Sequence, residues 1–165
     1  MTTTQPNFQY VAHWQTELPD ENEAVLAFWR AEKAIGDEAA AKKRLSEIVL
    51  HARTESGEVA GVCTAVPMTL PRLAQPLYYY RTFVGEKWRK TRLVVLLLKR
   101  AFELLEGHAV KNGYPCIGVI IELENARFAE NGRMPVWPDV DFVYIGKSQR
   151  GFDLRLRYFR GATLK

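Results

Sequence analysis

Cysteine is scarce in this chain, with two thiols, Cys63 and Cys116, among 165 residues. Each sits in an apolar, strand-like run with no histidine cluster nearby. They read as buried free thiols of a reducing compartment, not as a disulfide or a metal site. Histidine is equally sparse. His13, His51 and His108 are scattered along the sequence, without cysteine or carboxylate partners at ligand spacing, so no metal site is expected. Long apolar runs are missing as well. The longest purely aliphatic stretch, "LVVLLL" at 93–98, falls far short of the ~20 residues that a membrane helix needs. The opening "MTTTQPNFQY" has neither the basic start nor the apolar stretch of a secretory signal. The expectation is a cytoplasmic protein with no membrane partner. Internal repeats, low-complexity tracts and long linkers are absent too, which leaves one domain over 1–165.

The residues that are present suit a soluble globular domain, with 47% hydrophobic and 25% charged. That length can bury a core without disulfides or metals. Lysine and arginine number 23 against 19 acids, a net charge of +4. The excess favours an anionic partner but is small for nucleic acid. The arginines near the end (Arg155, Arg157, Arg160) lack the interleaved aromatics that would stack on bases, so nucleic-acid binding ranks last.

Pattern along the chain predicts a first strand at 8–15, then a helix over 21–35 with Asp20 as its cap and Gly36 as its stop. A short helix follows from 37, with acids first and bases later. A hairpin is predicted at 48–54 and 58–66, turning at Ser56–Gly57. A loop with three prolines spans Pro67 to Pro76. "LYYYRTFV", 77–84, reads as the fourth strand, with most of the tyrosine run in the core and at least one hydroxyl facing a cleft. The longest helix runs over 89–111. "CIGVIIEL", 116–123, is a strand buried on both faces. A short helix at 124–131 precedes two final strands in "DFVYIGK" and "FDLRLRYF". The last strand alternates apolar and charged residues as an exposed edge does. The order β-α-α-β-β-β-α-β-α-β-β describes an α/β protein, a mixed sheet flanked by helices.

Between the fourth strand and the long helix, "EKWRKTR" packs Lys87, Arg89, Lys90 and Arg92 into six positions. Cations are favoured at a helix C-terminus, and these crowd an N-terminus instead. A bound anion would make that arrangement favourable, since helix N-termini and arginine forks both suit phosphate. A solvated collar is the competing reading.

This element order, together with residues 80–133, resembles the GNAT superfamily of acyl-CoA-dependent N-acyltransferases. There the fourth strand runs into a loop patterned (Gln/Arg)-x-x-Gly-x-(Gly/Ala). The matching residues are Arg89, Lys90, Thr91, Arg92, Leu93 and Val94. Arg89 fits the first position, while Arg92 and Val94 stand where small residues are expected. Asn125 matches the asparagine that ends the fifth strand, and Gly132 a later glycine. Phe128 replaces the tyrosine that protonates the leaving thiolate in many relatives, and Arg133 replaces a phenylalanine. The resemblance implies acetyl-CoA as co-substrate, its pyrophosphate held along 89–94. It also implies a backbone N–H near Phe83 or Val84 that polarises the thioester.

Transfer of an acetyl group to an amine needs positioning, a proton acceptor and a polarised carbonyl. Glu122 and Glu124, at the end of the fifth strand, are the candidate bases. Solvent exposure of one and helix capping by the other is the bland alternative. His51 could also serve as a base if its strand borders the acceptor. The loop at 132–141 either borders a substrate or, through Trp137, covers the sheet end. The expected function is acetyl-CoA-dependent N-acetylation of an unidentified small-molecule or protein amine. The alternative is a GNAT-like domain without catalysis, kept as a CoA-binding or protein-interaction module. Exposed edge strands at the C-terminal end would suit a homodimer.

Overall fold

The computed structural model describes residues 6–124 and 132–165. Seven strands form one sheet in the order β1-β2-β3-β4-β5-β7-β6. They are β1 (Phe8–Ala12), β2 (Ile48–Thr54), β3 (Val59–Leu70), β4 (Gln75–Val84), β5 (Gly118–Leu123), β6 (Val143–Lys147) and β7 (Asp153–Tyr158). The helices are α1 (Pro19–Ala31), α2 (Glu38–Arg44) and α3 (Leu93–Lys111). β4 and β5 run parallel, whereas β1–β2, β2–β3, β5–β7 and β6–β7 are antiparallel. This is the α/β mixed sheet with flanking helices that the sequence implies. The chain divides into two compact units, residues 1–65 with 81–104, and 66–80 with 105–165. β3, β4 and α3 each continue through both.

In the first unit, α1 and α2 bury Val25, Leu26, Phe28, Trp29 and Ala41 with Ile48, Val59 and Val62 of β2 and β3. α1 begins earlier than predicted. Leu18 is its N-cap, with no side-chain cap bond, so Asp20 is not the cap and lies within the first turn. Pro19 explains the shift, because its fixed φ and missing N–H suit the first helical position. α1 also ends before Gly36. Lys33 takes a left-handed conformation (φ 54°) and Ala34 N–H donates to Trp29 O at 2.9 Å, closing the last turn. Asp37 caps α2 by accepting from Ala39 N–H at 3.2 Å, and Lys42, Lys43 and Arg44 fill its last turn.

The proline-rich loop is shorter than predicted. β3 extends to Leu70 and β4 begins at Gln75, which leaves a turn at 71–74 and puts Pro67 and Pro76 in strands. β2 begins at Ile48, opposite Thr64. Beyond Thr64 β3 has an open side, where Pro67, a residue without an N–H, is tolerated. In the second unit Leu77, Ile117, Ile120, Leu154 and Leu156 form a core. β7 is an interior strand, not the exposed edge its alternation suggests, and β6 is the edge. No helix among the described residues is long and apolar enough to cross a membrane. Cys63 and Cys116 are both free and buried, and burial pushes the Cys116 thiol up to about 11.

Candidate functional site

In the first unit β4 ends at Phe83 and Val84, and the chain turns at Gly85, whose N–H donates to Ala60 O at 2.8 Å. A short 3-10 turn, Glu86–Trp88, leads to the cationic stretch. α3 starts at Leu93, four residues after Arg89, so the predicted helix loses its first turn to a loop. Thr91 organises that start. Its hydroxyl donates to Trp88 O at 2.6 Å and accepts from Leu93 N–H at 3.2 Å, capping α3. Arg89 folds back onto the strand. Its Nε donates to Val84 O at 3.2 Å, and its guanidinium lies 5.5 Å from the Phe83 ring centre. Lys87 pairs with Glu58 at 3.2 Å on an exposed surface. Lys90 and Arg92 are exposed beside the positive pole of α3, and Val94 is half-buried. The opposing end of α1 supports the turn, with Phe28 edge-on to Phe83 at 5.9 Å and Glu32 accepting from Glu86 N–H at 3.4 Å.

In the second unit Glu122 and Glu124 come together through Arg150, which the sequence did not single out. Arg150 donates to Glu122 at 2.9 Å and to Glu124 at 2.8 Å. The Tyr79 hydroxyl donates to the same Glu122 oxygen at 3.0 Å. The two acids differ in exposure, with the Glu122 side chain 7% exposed and that of Glu124 57% exposed. Of the tyrosine run, Tyr78 and Tyr80 are buried and Tyr79 is half-buried, so Tyr79 carries the hydroxyl that reaches an acid. Nothing in the sequence around Arg150 signals its role, because the contact joins a β6–β7 turn to a strand end 28 residues earlier. Asn125 and Phe128 lie outside the described residues.

The histidines are less scattered than the sequence suggests. The β1–β2 register sets Val11 opposite His51, and His13 follows β1 directly. The two imidazoles are 2.6 Å apart, Nε2 of His13 to Nδ1 of His51, with His13 3% and His51 0% exposed. Glu21 Oε2 lies 3.0 Å from His51 Nε2, off the line of a hydrogen bond, and is held by Arg53 at 2.6 Å. Burial, then the His13 ring, pushes His51 down to about 4. Burial likewise lowers His13. An enclosed pair of this kind is cut off from an acceptor, which removes His51 as a base. Among the described residues no group of three or more His, Cys, Asp or Glu side chains is arranged to hold a metal ion.

The loop at 132–142 is held from beneath by Arg155, which is 2% exposed. Arg155 donates to Gly132 O at 2.6 Å, Pro135 O at 3.4 Å and Phe142 O at 3.5 Å, and stacks 4.3 Å from the Trp137 ring. Arg157 donates to Val140 O at 3.2 Å. Two of the three arginines considered for nucleic acid are therefore committed to backbone carbonyls.

No protein-family model matches the chain, and no curated protein matches it in sequence. Solved structures do. An acetyltransferase of the GNAT family from Streptococcus pneumoniae superposes with a TM-score of 0.64 at 14% identity, over 93% of this chain and 99% of that one. A GNAT superfamily phosphinothricin acetyltransferase from Sinorhizobium meliloti, in complex with AcCoA, gives 0.60 at 12% identity, over 98% and 94%. FeeM, an N-acyl amino acid synthase from uncultured soil microbes, gives 0.59 at 12% identity, over 96% and 94%. At such identities the likeness is one of architecture, and it covers nearly the whole chain: the protein has the GNAT, or acyl-CoA N-acyltransferase, fold.

Proposed function

We propose that the protein transfers an acetyl group from acetyl-CoA to an amine. The carrying observation is the junction of β4 and α3, a strand end and a helix N-terminus joined by a loop with Arg89, Lys90 and Arg92. Phosphate oxygens suit that junction because the helix pole and the guanidinium forks are both positive. Lys90 and Arg92, together with the start of α3 at Leu93 and Val94, would hold the pyrophosphate. Thr91 keeps the helix start in shape, and its claim on the Leu93 N–H leaves side chains a larger share of the binding than glycine-rich loops assign them. Arg89, bound to Val84 O, fixes the strand end, so that a Phe83 or Val84 N–H can polarise the thioester carbonyl. Asn125 completes the cofactor set.

The amine must lose a proton before or during attack. Glu122 is the residue for that task, because it is shielded and positioned by Tyr79, whereas Glu124 stands in solvent and anchors Arg150. With Phe128 unable to donate a proton, the thiolate would leave as the anion or take its proton from solvent.

Calorimetric titration with acetyl-CoA, CoA and dephospho-CoA tests the cofactor claim. Micromolar binding that is lost in Arg89→Ala/Arg92→Ala supports it, and a folded protein that binds none of the three refutes it. Binding without turnover on a broad amine panel would instead identify a CoA-binding module without catalysis.

A further inference from the structure

In the second unit one oxygen of Glu122 is held from two directions. The parallel register sets Tyr79 beside Ile120. Glu122 follows two residues later on the same face of the sheet, about 7 Å along. A tyrosine ring spans that step, and its hydroxyl donates to Glu122 Oε1 at 3.0 Å. The second donor comes from the turn between β6 and β7. Ser148 N–H donates to Phe152 O at 2.8 Å and Gly151 N–H to Ser148 O at 2.9 Å, which closes that turn. The pairing of Glu122 with Leu154 and of Leu123 with Asp153 lays it beside the end of β5. Arg150 Nη1 donates to the same Glu122 Oε1 at 2.9 Å and to Glu124 Oε1 at 2.8 Å. Its guanidinium also lies 4.8 Å from the Phe152 ring centre. An exposed arginine in a turn is ordinarily solvated. This one is tied at three points.

Both donors converge on Oε1, and among the described residues Oε2 has no hydrogen-bond partner. We infer that Tyr79 and Arg150 are positioning residues that reserve Oε2 as the atom to which the acceptor amine gives its proton. The inference rests on the acetyltransferase reading and on Glu122 as its base. In that step an N–H bond of the amine breaks and the proton binds Oε2. The electron pair of the broken bond stays on nitrogen for attack on the thioester carbon. Oε1 then becomes the carbonyl oxygen of a carboxylic acid, which still accepts from both donors. The clamp therefore survives proton transfer without rearrangement, the condition under which a prepared site lowers a barrier. A proton arriving at Oε1 would instead meet lone pairs that Tyr79 and Arg150 already occupy. Two donors from different elements also fix the plane of the carboxylate, so Oε2 points in one direction rather than several.

The test is steady-state kinetics of the full chain with acetyl-CoA and a panel of alkyl, aryl and amino-acid amines. On the best amine, Arg150→Ala lowers kcat about 10–100-fold while the KM for acetyl-CoA stays within about two-fold. Arg150→Lys recovers part of that loss. Lys147→Ala, which removes another cation of the same hairpin, leaves kcat unchanged. The deciding comparison is made beside Glu122→Gln, where Arg150→Ala has no further effect on kcat, because a residue acting only through Glu122 is silent without it. Tyr79→Phe gives an independent variant for the second donor, with the same dependence on Glu122. Thermal melts of each variant establish that the fold is retained. An Arg150→Ala variant that turns over like the parent overturns the inference and leaves the acetyltransferase reading standing. So does one that loses as much kcat beside Glu122→Gln as without it. Parental turnover in Glu122→Gln removes the base, and the inference with it. Acetyl transfer to no amine at all overturns the acetyltransferase reading together with the inference.

Discussion

Nε2 of His13 stands 2.6 Å from Nδ1 of His51 in the buried interior of the first unit, so a single proton is shared by two rings. Burial disfavours the protonated form of both rings, and the neighbouring His13 adds to this at His51, so both groups titrate below the ordinary histidine range, His51 at about 4. With folded values below unfolded ones, stability is fully present above the unfolded value near 6.5 and is lost as pH falls from there toward 4. Urea denaturation at pH 7.5, 6 and 4.5 should show a loss of order 2 kcal/mol across that range. A His51→Phe variant should show a flatter profile, and a wild-type profile flat from 7.5 to 4.5 would contradict this account.

Glu122→Gln keeps the acceptor for the Tyr79 hydroxyl but cannot take a proton. If Glu122 is the base, kcat for acetyl transfer falls by about 10²–10⁴-fold with little change in the KM for acetyl-CoA. Glu124→Gln stays within a few-fold of the parent. Steady-state kinetics on the best amine of the panel distinguishes the two.

Thr91→Ala removes the cap that satisfies the Leu93 N–H, and about 1 kcal/mol of stability should go with it. Thr91→Ser, which retains the hydroxyl, should recover most of that loss. Chemical denaturation of the three proteins measures both effects.

Gly118 is walled in by main chain, and a Cβ there would lie 2.6 Å from Arg157 O. Backbone cannot step aside as a flexible side chain can. Gly118→Ala is expected to cost about 1–3 kcal/mol or prevent folding. Gly36→Ala meets nothing within 4 Å and should change stability by less than about 0.5 kcal/mol. Thermal melts of the two variants side by side give the comparison.

Most element types were readable from apolar period, because a buried strand such as β5 and an amphipathic helix such as α3 leave distinct patterns. What escaped were features set by partners distant in sequence. Leu154-Arg155-Leu156-Arg157 alternates as an edge strand does, yet its arginines answer loop carbonyls instead of water, and alternation cannot tell those partners apart. Pro67 and Pro76 are strong loop signals in sequence. The tolerance of Pro67 within β3 depends on β2 beginning opposite Thr64, which no local window contains. His13 and His51 are 38 positions apart and meet through a strand register. Of the candidate site, the cationic start of α3 was legible as a charge run. Arg150 was not, because a lone arginine in a turn has no pattern to betray it.

The hold of Arg155 on the loop at 132–142 has a consequence for how this protein can vary. Its three hydrogen-bond acceptors there, Gly132, Pro135 and Phe142, all contribute main-chain oxygens. Apart from Trp137, on whose ring it stacks, the guanidinium reads carbonyls and is indifferent to the other side chains the loop displays. The shape of the loop is thus written in β7, while its surface chemistry is free to drift. Its other side chains can change on a fixed frame, without each change having to rediscover the fold of the segment that presents it.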